Sequence, residues 1–172
     1  MIQNLMAYEE AGYKVVHKGE NFEIRYYEER IVIQTRYESG NSGFRKLFNY
    51  ISGQNQGGKK IEMTTPVTEL QDDNQMVMQF YLPARFNASS APLPADNSLE
   101  IATIDAGYFA VIQYSGFASN KNFYKHAQIL KSSLERDNIN ISSQPIKATY
   151  DGPFTLPNLR RNEAMYLVLW DN

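Results

Sequence analysis

Apolar and charged residues alternate along residues 21–27, where Phe22, Ile24 and Tyr26 are separated by Glu23 and Arg25. A period of two is typical of a strand with one buried face. The same criteria predict strands over residues 31–38, 60–70 and 75–83, the last two joined by an Asp- and Asn-rich turn at 71–74. The first half of the chain is therefore predicted to be rich in strands.

A helix interrupts these strands. Four apolar residues recur at the i, i+3, i+4 and i+7 spacing of a helical stripe: Phe44, Leu47, Phe48 and Ile51. Ser42 is a candidate N-cap and Gly53 a candidate C-terminal stop. The pattern predicts a short amphipathic helix whose apolar face packs on the sheet.

The second half repeats this order. Strands are predicted over residues 98–105, 107–115, 145–151 and 163–170, and a helix runs from a Ser119 cap to about residue 136. Short matches, such as Phe22-Glu23-Ile24 with Leu99-Glu100-Ile101, occur in the same order in both halves. We therefore predict one α+β domain over residues 1–172, built from two ββαββ repeats at about 13–83 and 98–170. The repeats would form a distorted antiparallel barrel or curved sheet with two flanking helices.

Composition excludes several classes of function. The formal net charge is −2 and the pI about 5.7, without the basic stripe of a nucleic-acid-binding protein. The chain has no cysteine, which excludes disulfides and thiolate metal sites. No apolar run is long enough to span a bilayer and no signal peptide is visible, so we expect a cytoplasmic protein, a leader already removed being the alternative.

No catalytic motif is present: the chain lacks the GxSxG, HExxH and GxxxxGK[ST] patterns. Binding is therefore expected rather than catalysis. His126 borders the apolar face of the second helix, where it is either a metal ligand or a histidine satisfied at the helix–sheet boundary.

Two further segments have alternative interpretations. Arg160 and Arg161, which precede Asn162-Glu163, could clamp a carboxylate bidentately or form a local ion-pair network that fixes the loop before the last strand. Met63 follows Ile61 at strand spacing, so it is either a core residue or part of the lining of an aromatic pocket.

The chain from about residue 13 to 170 resembles the SOUL/haem-binding protein family, which is related to the GyrI-like ligand-binding domains. The matching segments are FEIRYY at 22–27, GFRKLFNYISGQN at 43–55, KIEMTTPV at 60–67, FYLP at 80–83, PLP at 92–94 and RRNE at 160–163. The resemblance implies a distorted barrel with two helices, and binding of haem or another tetrapyrrole near the first helix without established catalysis.

Carried onto this chain, the resemblance predicts an apolar pocket with carboxylate-binding arginines beside it. Its residues are Phe44, Arg45, Leu47, Phe48, Ile51, Met63, Arg160 and Arg161, and His126 is a candidate axial ligand of the haem iron. The chain departs from two branches of the family. Tyr26 stands where one branch has a proposed axial histidine, and neutral Asn41, Asn49 and Leu156 stand near basic positions of another.

Two other functions are consistent with the same residues. The first is a GyrI-like sensor or partner-binding module that takes a different small hydrophobic ligand. The second is a hydrolase or tetrapyrrole-modifying enzyme on this scaffold. A buried carboxylate with a raised pKa in the pocket would favour the enzyme, whereas an apolar pocket without ionisable groups would favour binding.

Overall fold

The structure, a computed structural model, describes residues 8–38 and 42–171, and for Ser42 only its place in the backbone. Ten strands form one curved sheet in which neighbouring strands are antiparallel, and two helices pack on it. The predicted α+β class with a curved sheet is confirmed.

The elements of the first half end at the long connector before Leu99. They are β1 (Glu9–Glu10), β2 (Tyr13–Lys18), β3 (Glu23–Tyr27), β4 (Arg30–Tyr37), α1 (Ser42–Ile51), β5 (Thr64–Thr65), β6 (Val67–Asp72) and β7 (Gln75–Tyr81). Residues 60–63, predicted as strand, are not in one; strand structure begins at Thr64, and β5 pairs in parallel with β1 rather than joining the large sheet.

The second half contributes the remaining elements. They are β8 (Leu99–Ile104), β9 (Gly107–Tyr114), α2 (Asn120–Arg136), β10 (Asn140–Ile141), β11 (Ile146–Thr149), a 3₁₀ turn (Pro157–Leu159) and β12 (Asn162–Leu169). The periodicity located both helices and every strand longer than two residues from β3 onward. It missed the six-residue β2 and the two-residue β1 and β10. A two-residue strand depends on its partner rather than on a pattern of its own.

The order of the large sheet is β2-β3-β9-β12-β11-β6-β7-β4-β8, with β10 added beside β12. From β3 to β8 this order is symmetric between the two halves of the chain. The strands β3, β4, β6 and β7 of the first half correspond to β8, β9, β11 and β12 of the second, and swapping each with its counterpart gives the same order read from the other end. The first strand of each half therefore pairs with the second strand of the other half. This is the topology that a duplicated ββαββ unit would produce, and the duplication itself stays a prediction.

Helix ends follow their local residues. The Ser119 hydroxyl accepts a hydrogen bond from the Asn122 backbone N–H at 3.2 Å, which confirms the cap of α2. Gly53 after α1 has a φ of +119°, a conformation that a side chain would strain. The predicted Ser42 cap lies outside the described side chains. Within residues 8–38 and 42–171, neither helix has the length and apolarity to cross a bilayer.

Each helix covers its own apolar cluster on one face of the sheet. Leu47 and Ile51 of α1 are buried on β4 and β7, while Leu130 and Leu134 of α2 are buried on β9 and β12. A third cluster, around Phe109, lies on the opposite face. One face of the sheet is therefore covered by the two helices, and we call the other the helix-free face.

We expect Leu130→Ala to lower the free energy of unfolding by about 2–5 kcal/mol, because it leaves a cavity at a fully buried position. The neighbouring Ile129 on the same helix is exposed, so Ile129→Ala should cost less than about 1 kcal/mol. Urea unfolding of the two variants measures the difference. Equal losses would contradict the described orientation of α2.

Candidate functional site

The apolar stripe of α1 divides into a buried and an exposed part. Leu47 and Ile51 are buried, whereas Phe44 and Phe48 are 42% and 49% exposed. The two exposed rings stack on each other with centroids 6.1 Å apart and planes 13° apart. Two parallel aromatic rings are thus held at the surface of a helix whose other apolar residues lie in the core.

Contacts show which flank of α1 carries these rings. On one flank the Lys46 Nζ donates to Ser98 Oγ at 2.9 Å, and the Tyr50 hydroxyl donates to a connector carbonyl, that of Pro92, at 2.6 Å. Phe44 instead meets the edge of Phe80 at 5.2 Å, and Phe80 of β7 pairs with β6. The exposed rings therefore stand on the flank that faces the centre of the sheet, which we call the aromatic flank of α1.

Two other predicted residues lie at or near this helix. Met63 is half-buried and packs against the cluster beneath α1. Arg45 is exposed on the helix surface next to Phe44 in sequence. Six predicted site residues thus lie on α1 or on the segment between α1 and β5. Two are surface aromatic residues, one is a surface cation, and three are buried or half-buried beneath the helix.

A cavity of about 400 Å³ lies on the same face of the sheet, near the first turns of both helices. Tyr37 and Glu69 line it from the side of α1, and Phe123, Tyr124 and Lys147 from the side of α2. The Tyr37 hydroxyl donates to Glu69 Oε1, and Lys147 Nζ lies 3.4 Å from Glu69 Oε2. Burial, together with the Glu69 carboxylate, raises the pKa of Tyr37 well above its usual value, so this hydroxyl remains a donor.

Arg160 is not part of the α1 site. Its Nε donates to the Thr155 carbonyl and its Nη2 to the Pro153 carbonyl, each at 2.8 Å, and its guanidinium lies 5.8 Å from the Phe117 ring. These bonds tie the guanidinium to the loop between β11 and β12. The geometry is that of a loop-fixing residue.

Arg161 belongs to a buried network on the helix-free face. Its Nη2 is 3.0 Å from Glu163 Oε1 and 2.9 Å from Glu10 Oε1. Arg25 donates to both oxygens of Glu163 at 3.0 Å, and the Tyr150 hydroxyl donates to the same carboxylate at 2.6 Å. Of the two interpretations of the RRNE segment, the contacts match the structural network rather than a free carboxylate clamp.

Sheet order separates this network from α1. Three strand spacings of about 4.8 Å, about 14 Å in all, lie between β12 and β7, the strand that Phe44 contacts. The carboxylate of Glu163 also points to the face opposite the helices, since its register partner Ala148 belongs to the helix-free cluster. Arg161 therefore cannot contact a ligand held on the aromatic flank of α1 without rearrangement.

His126 lies on the far flank of α2. Its Nδ1 is 2.8 Å from the Asn122 carbonyl, which can only accept, so Nδ1 donates in this contact. The ring stacks on Tyr114 of β9 at 4.0 Å, whereas Tyr124 on the other flank of α2 lines the cavity near α1. The described residues contain no cluster of three His, Cys, Asp or Glu side chains able to hold a metal ion.

The family departures fall in different places. Tyr26 stacks on Tyr108 at 5.2 Å and lines a cleft at one end of the sheet. Asn49 is half-buried on α1 and Leu156 is exposed in the loop between β11 and β12, while Asn41 lies outside the described residues.

That end cleft has a volume of about 750 Å³. The segment before β2 covers one side of it, where Glu9 accepts a hydrogen bond from the Ala84 N–H at 2.7 Å. Arg30, Ile31, Tyr81 and Phe86 are among the residues that line it. Sequence patterns did not reveal this cleft, because it forms where the ends of several strands, distant in the sequence, come together in the fold.

The fold is a curved sheet with two helices on one face and cavities at its end and between the helices. A family model described as SOUL heme-binding protein matches residues 8–167, and the chain belongs to that family. It is 29% identical over 173 residues to heme-binding protein 1 of Xenopus laevis, covering 90% of this chain and 89% of the relative. It is 26% identical over 163 residues to heme-binding protein 2 of Homo sapiens, covering 86% and 78%. The crystal structure of the EcmrR C-terminal domain superposes with a TM-score of 0.63 at 17% identity over 91% of this chain and 98% of that one, which shows a shared fold.

We expect Glu163→Gln to lower the free energy of unfolding by about 3–5 kcal/mol, because it removes the fully buried carboxylate that pairs with Arg25 and leaves that buried cation only the partly exposed Glu23. Asp72→Asn is the matched control, since it breaks an exposed Arg36–Asp72 pair that should contribute less than about 1 kcal/mol. Urea unfolding near neutral pH tests both. A Glu163→Gln loss as small as that of the control would contradict the network.

Tyr50 supplies a pH-dependent prediction. Burial raises its pKa to about 12, whereas an unfolded tyrosine ionises near pH 10, so the unfolded state loses its proton first and stability falls between about pH 10 and 12. At about 1.4 kcal/mol per pH unit between pH 10 and pH 11.5, Tyr50→Phe should remove about 2 kcal/mol of that fall. Tyr124→Phe, at an exposed position, should leave it unchanged. Urea unfolding at pH 9 and pH 11.5 measures the three proteins.

Proposed function

We propose that this protein binds haem or a related tetrapyrrole, without transforming it, on the aromatic flank of α1. The observation that carries the proposal is the parallel Phe44–Phe48 pair, kept at the surface of a helix that otherwise buries its apolar residues. Membership of the SOUL heme-binding family, and relatives named heme-binding proteins 1 and 2, support the same ligand class.

The chemistry of a porphyrin suits this surface. Its flat apolar face would cover the exposed parts of both rings, and each Å² removed from water contributes about 25 cal/mol. Aromatic pairs add a further contribution of about 0.5–1.5 kcal/mol when offset and parallel. Apolar contact therefore supplies most of the affinity, and charge supplies orientation.

The polar groups on this flank fit carboxylate recognition better than iron ligation. Arg45 is an exposed cation beside Phe44, suited to a propionate. The Met63 sulfur is the one soft donor among the predicted α1-side residues, and its half-buried place suits contact with a ring face. The proposal leaves out Arg160 and Arg161, whose donors are engaged elsewhere, and His126, whose ring lies on the far flank of α2.

Two alternatives remain distinct from this proposal. A different hydrophobic ligand or a protein partner would use the same exposed rings, and competition with haemin would reveal it. A scaffold-borne enzyme has less support, because Glu163, the fully buried carboxylate of the described residues, already accepts bonds from Arg25 and Tyr150. From the composition we also expect the protein to act in the cytoplasm and to bind no nucleic acid.

The test is a titration of the purified protein with haemin, followed by Soret absorbance and tryptophan quenching. Replacing both Phe44 and Phe48 by Ala should weaken binding by about tenfold or more, because it removes the stacking surface. Phe154→Ala is the matched control, since Phe154 is 99% exposed in another loop. Met63→Leu should change the spectrum only if the sulfur reaches the iron.

The outcomes separate the hypotheses. No saturable Soret shift at micromolar protein would overturn haem binding. Saturable binding that the double variant leaves intact would keep haem but remove it from α1. If His126→Ala alone alters the spectrum, the axial-ligand hypothesis for His126 replaces the stacking proposal.

A further inference from the structure

Arg30 differs from Arg25, the buried guanidinium of the sheet. It is half-buried, and its Nε is buried without a hydrogen-bond partner among the described residues. The ion pairs found between described residues do not include it, whereas Arg25 is held by Glu163. A half-buried charge without a counter-charge loses part of its hydration, which is unfavourable unless something compensates it.

Aromatic rings supply part of that compensation. The Arg30 guanidinium carbon lies 4.3 Å from the centroid of the Tyr27 ring, 5.1 Å from that of Tyr81 and 5.2 Å from that of Phe109. Ring faces stabilise a guanidinium and hold its plane in one orientation. They do not accept its in-plane N–H bonds, and no hydrogen bond between described residues uses its two terminal nitrogens, so that edge of the guanidinium is left for a ligand.

This cation lines the cleft of about 750 Å³ at the end of the sheet. Apolar side chains, including Ile31, Leu82 and Phe86, form part of the wall, and all three belong to or pack on the cluster beneath α1. Ligand-binding cavities commonly have this volume and combine an apolar wall with a few fixed polar groups. The cleft is also backed by fixed structure, since the Thr64 hydroxyl donates to the Tyr81 carbonyl at 2.6 Å.

We propose that the end cleft is a second ligand site, which binds an amphiphile with one carboxylate and an apolar body, and that Arg30 receives the carboxylate. A guanidinium edge matches a carboxylate in a bidentate pair, and the apolar wall takes the hydrocarbon part. Lys14, exposed among the lining residues, adds a second positive charge at the mouth. The site is separate from the aromatic flank of α1.

The other charges of the cleft favour a singly charged head. Glu28 and Glu29 line the cleft and repel an anion. Both are exposed, so water and salt weaken this repulsion without removing it. Glu9 already accepts the Ala84 N–H. A phosphate monoester, with a charge of about −1.5 to −2, would meet more repulsion than a carboxylate with one charge.

The experiment compares decanoate, 1-decanol and decyl phosphate on the full chain by calorimetry, with ¹⁵N amide shifts to locate binding. Decanoate should bind tightest and shift amides of residues 11–14, 28–31 and 82–87. Arg30→Gln should weaken decanoate by about 10- to 100-fold, the usual cost of losing a charged hydrogen bond. Its effect on 1-decanol should be small, which a merely structural role of Arg30 would not produce.

Controls keep the result decisive. Arg36→Gln, on the same strand but paired with exposed Asp72, should leave decanoate affinity unchanged. If Arg30→Gln fails to fold, Arg30→Lys and the wild-type ligand series decide: 1-decanol or decyl phosphate binding as tightly as decanoate overturns the proposal. Decanoate shifts confined to residues 44–48 also overturn it. Haemin affinity should be the same with and without decanoate, so failure of either site leaves the other standing.

Discussion

The ion pair between Arg25 and Glu163 is the interaction on which the helix-free face of the sheet depends. It joins β3 to β12 across β9, through two hydrogen bonds of 3.0 Å, and so connects a strand of the first half to the last strand of the second. Glu163 also accepts from Tyr150 and Arg161, and Arg161 holds Glu10 of the N-terminal segment. Because both charges are buried, removing either would leave the other with weaker partners, Glu23 for Arg25, and Arg161 and Tyr150 for Glu163.

This constraint decides where ligands can bind. The two buried charges of the helix-free face, Arg25 and Glu163, are bonded to each other and to their neighbours, so a ligand finds little free bonding capacity there. Unused surface lies elsewhere, as the exposed rings of Phe44 and Phe48 on α1 and as the Arg30 guanidinium in the end cleft. The first surface suits a flat apolar ligand because it offers two parallel ring faces, and the second suits an anion because it offers unpaired N–H groups.

Much of the fold followed from local rules. The stripe from Phe44 to Ile51 identified α1, Ser119 marked the start of α2, and alternation identified β3 and β4, because the period of a segment reflects the face it buries. The site was less accessible to the same rules. Leu47 and Phe48 share one stripe, yet the first is fully buried and the second half exposed, a difference set by how α1 is rotated on β4 and β7. The RRNE segment had two interpretations of equal weight until its contacts showed which partners it has.

By itself the sequence determined the α+β class, the positions of both helices and most strands, and membership of the SOUL family, since these depend on residues that are neighbours in the chain. Only the tertiary structure decided which side chains meet. It placed Arg161 and Glu163 three strands from β7, the nearest strand beneath α1, turned His126 away from the aromatic flank, and assembled the end cleft around Arg30. The reason is that strand order brings together residues such as Arg25 and Glu163, 138 positions apart, and no local period encodes that pairing.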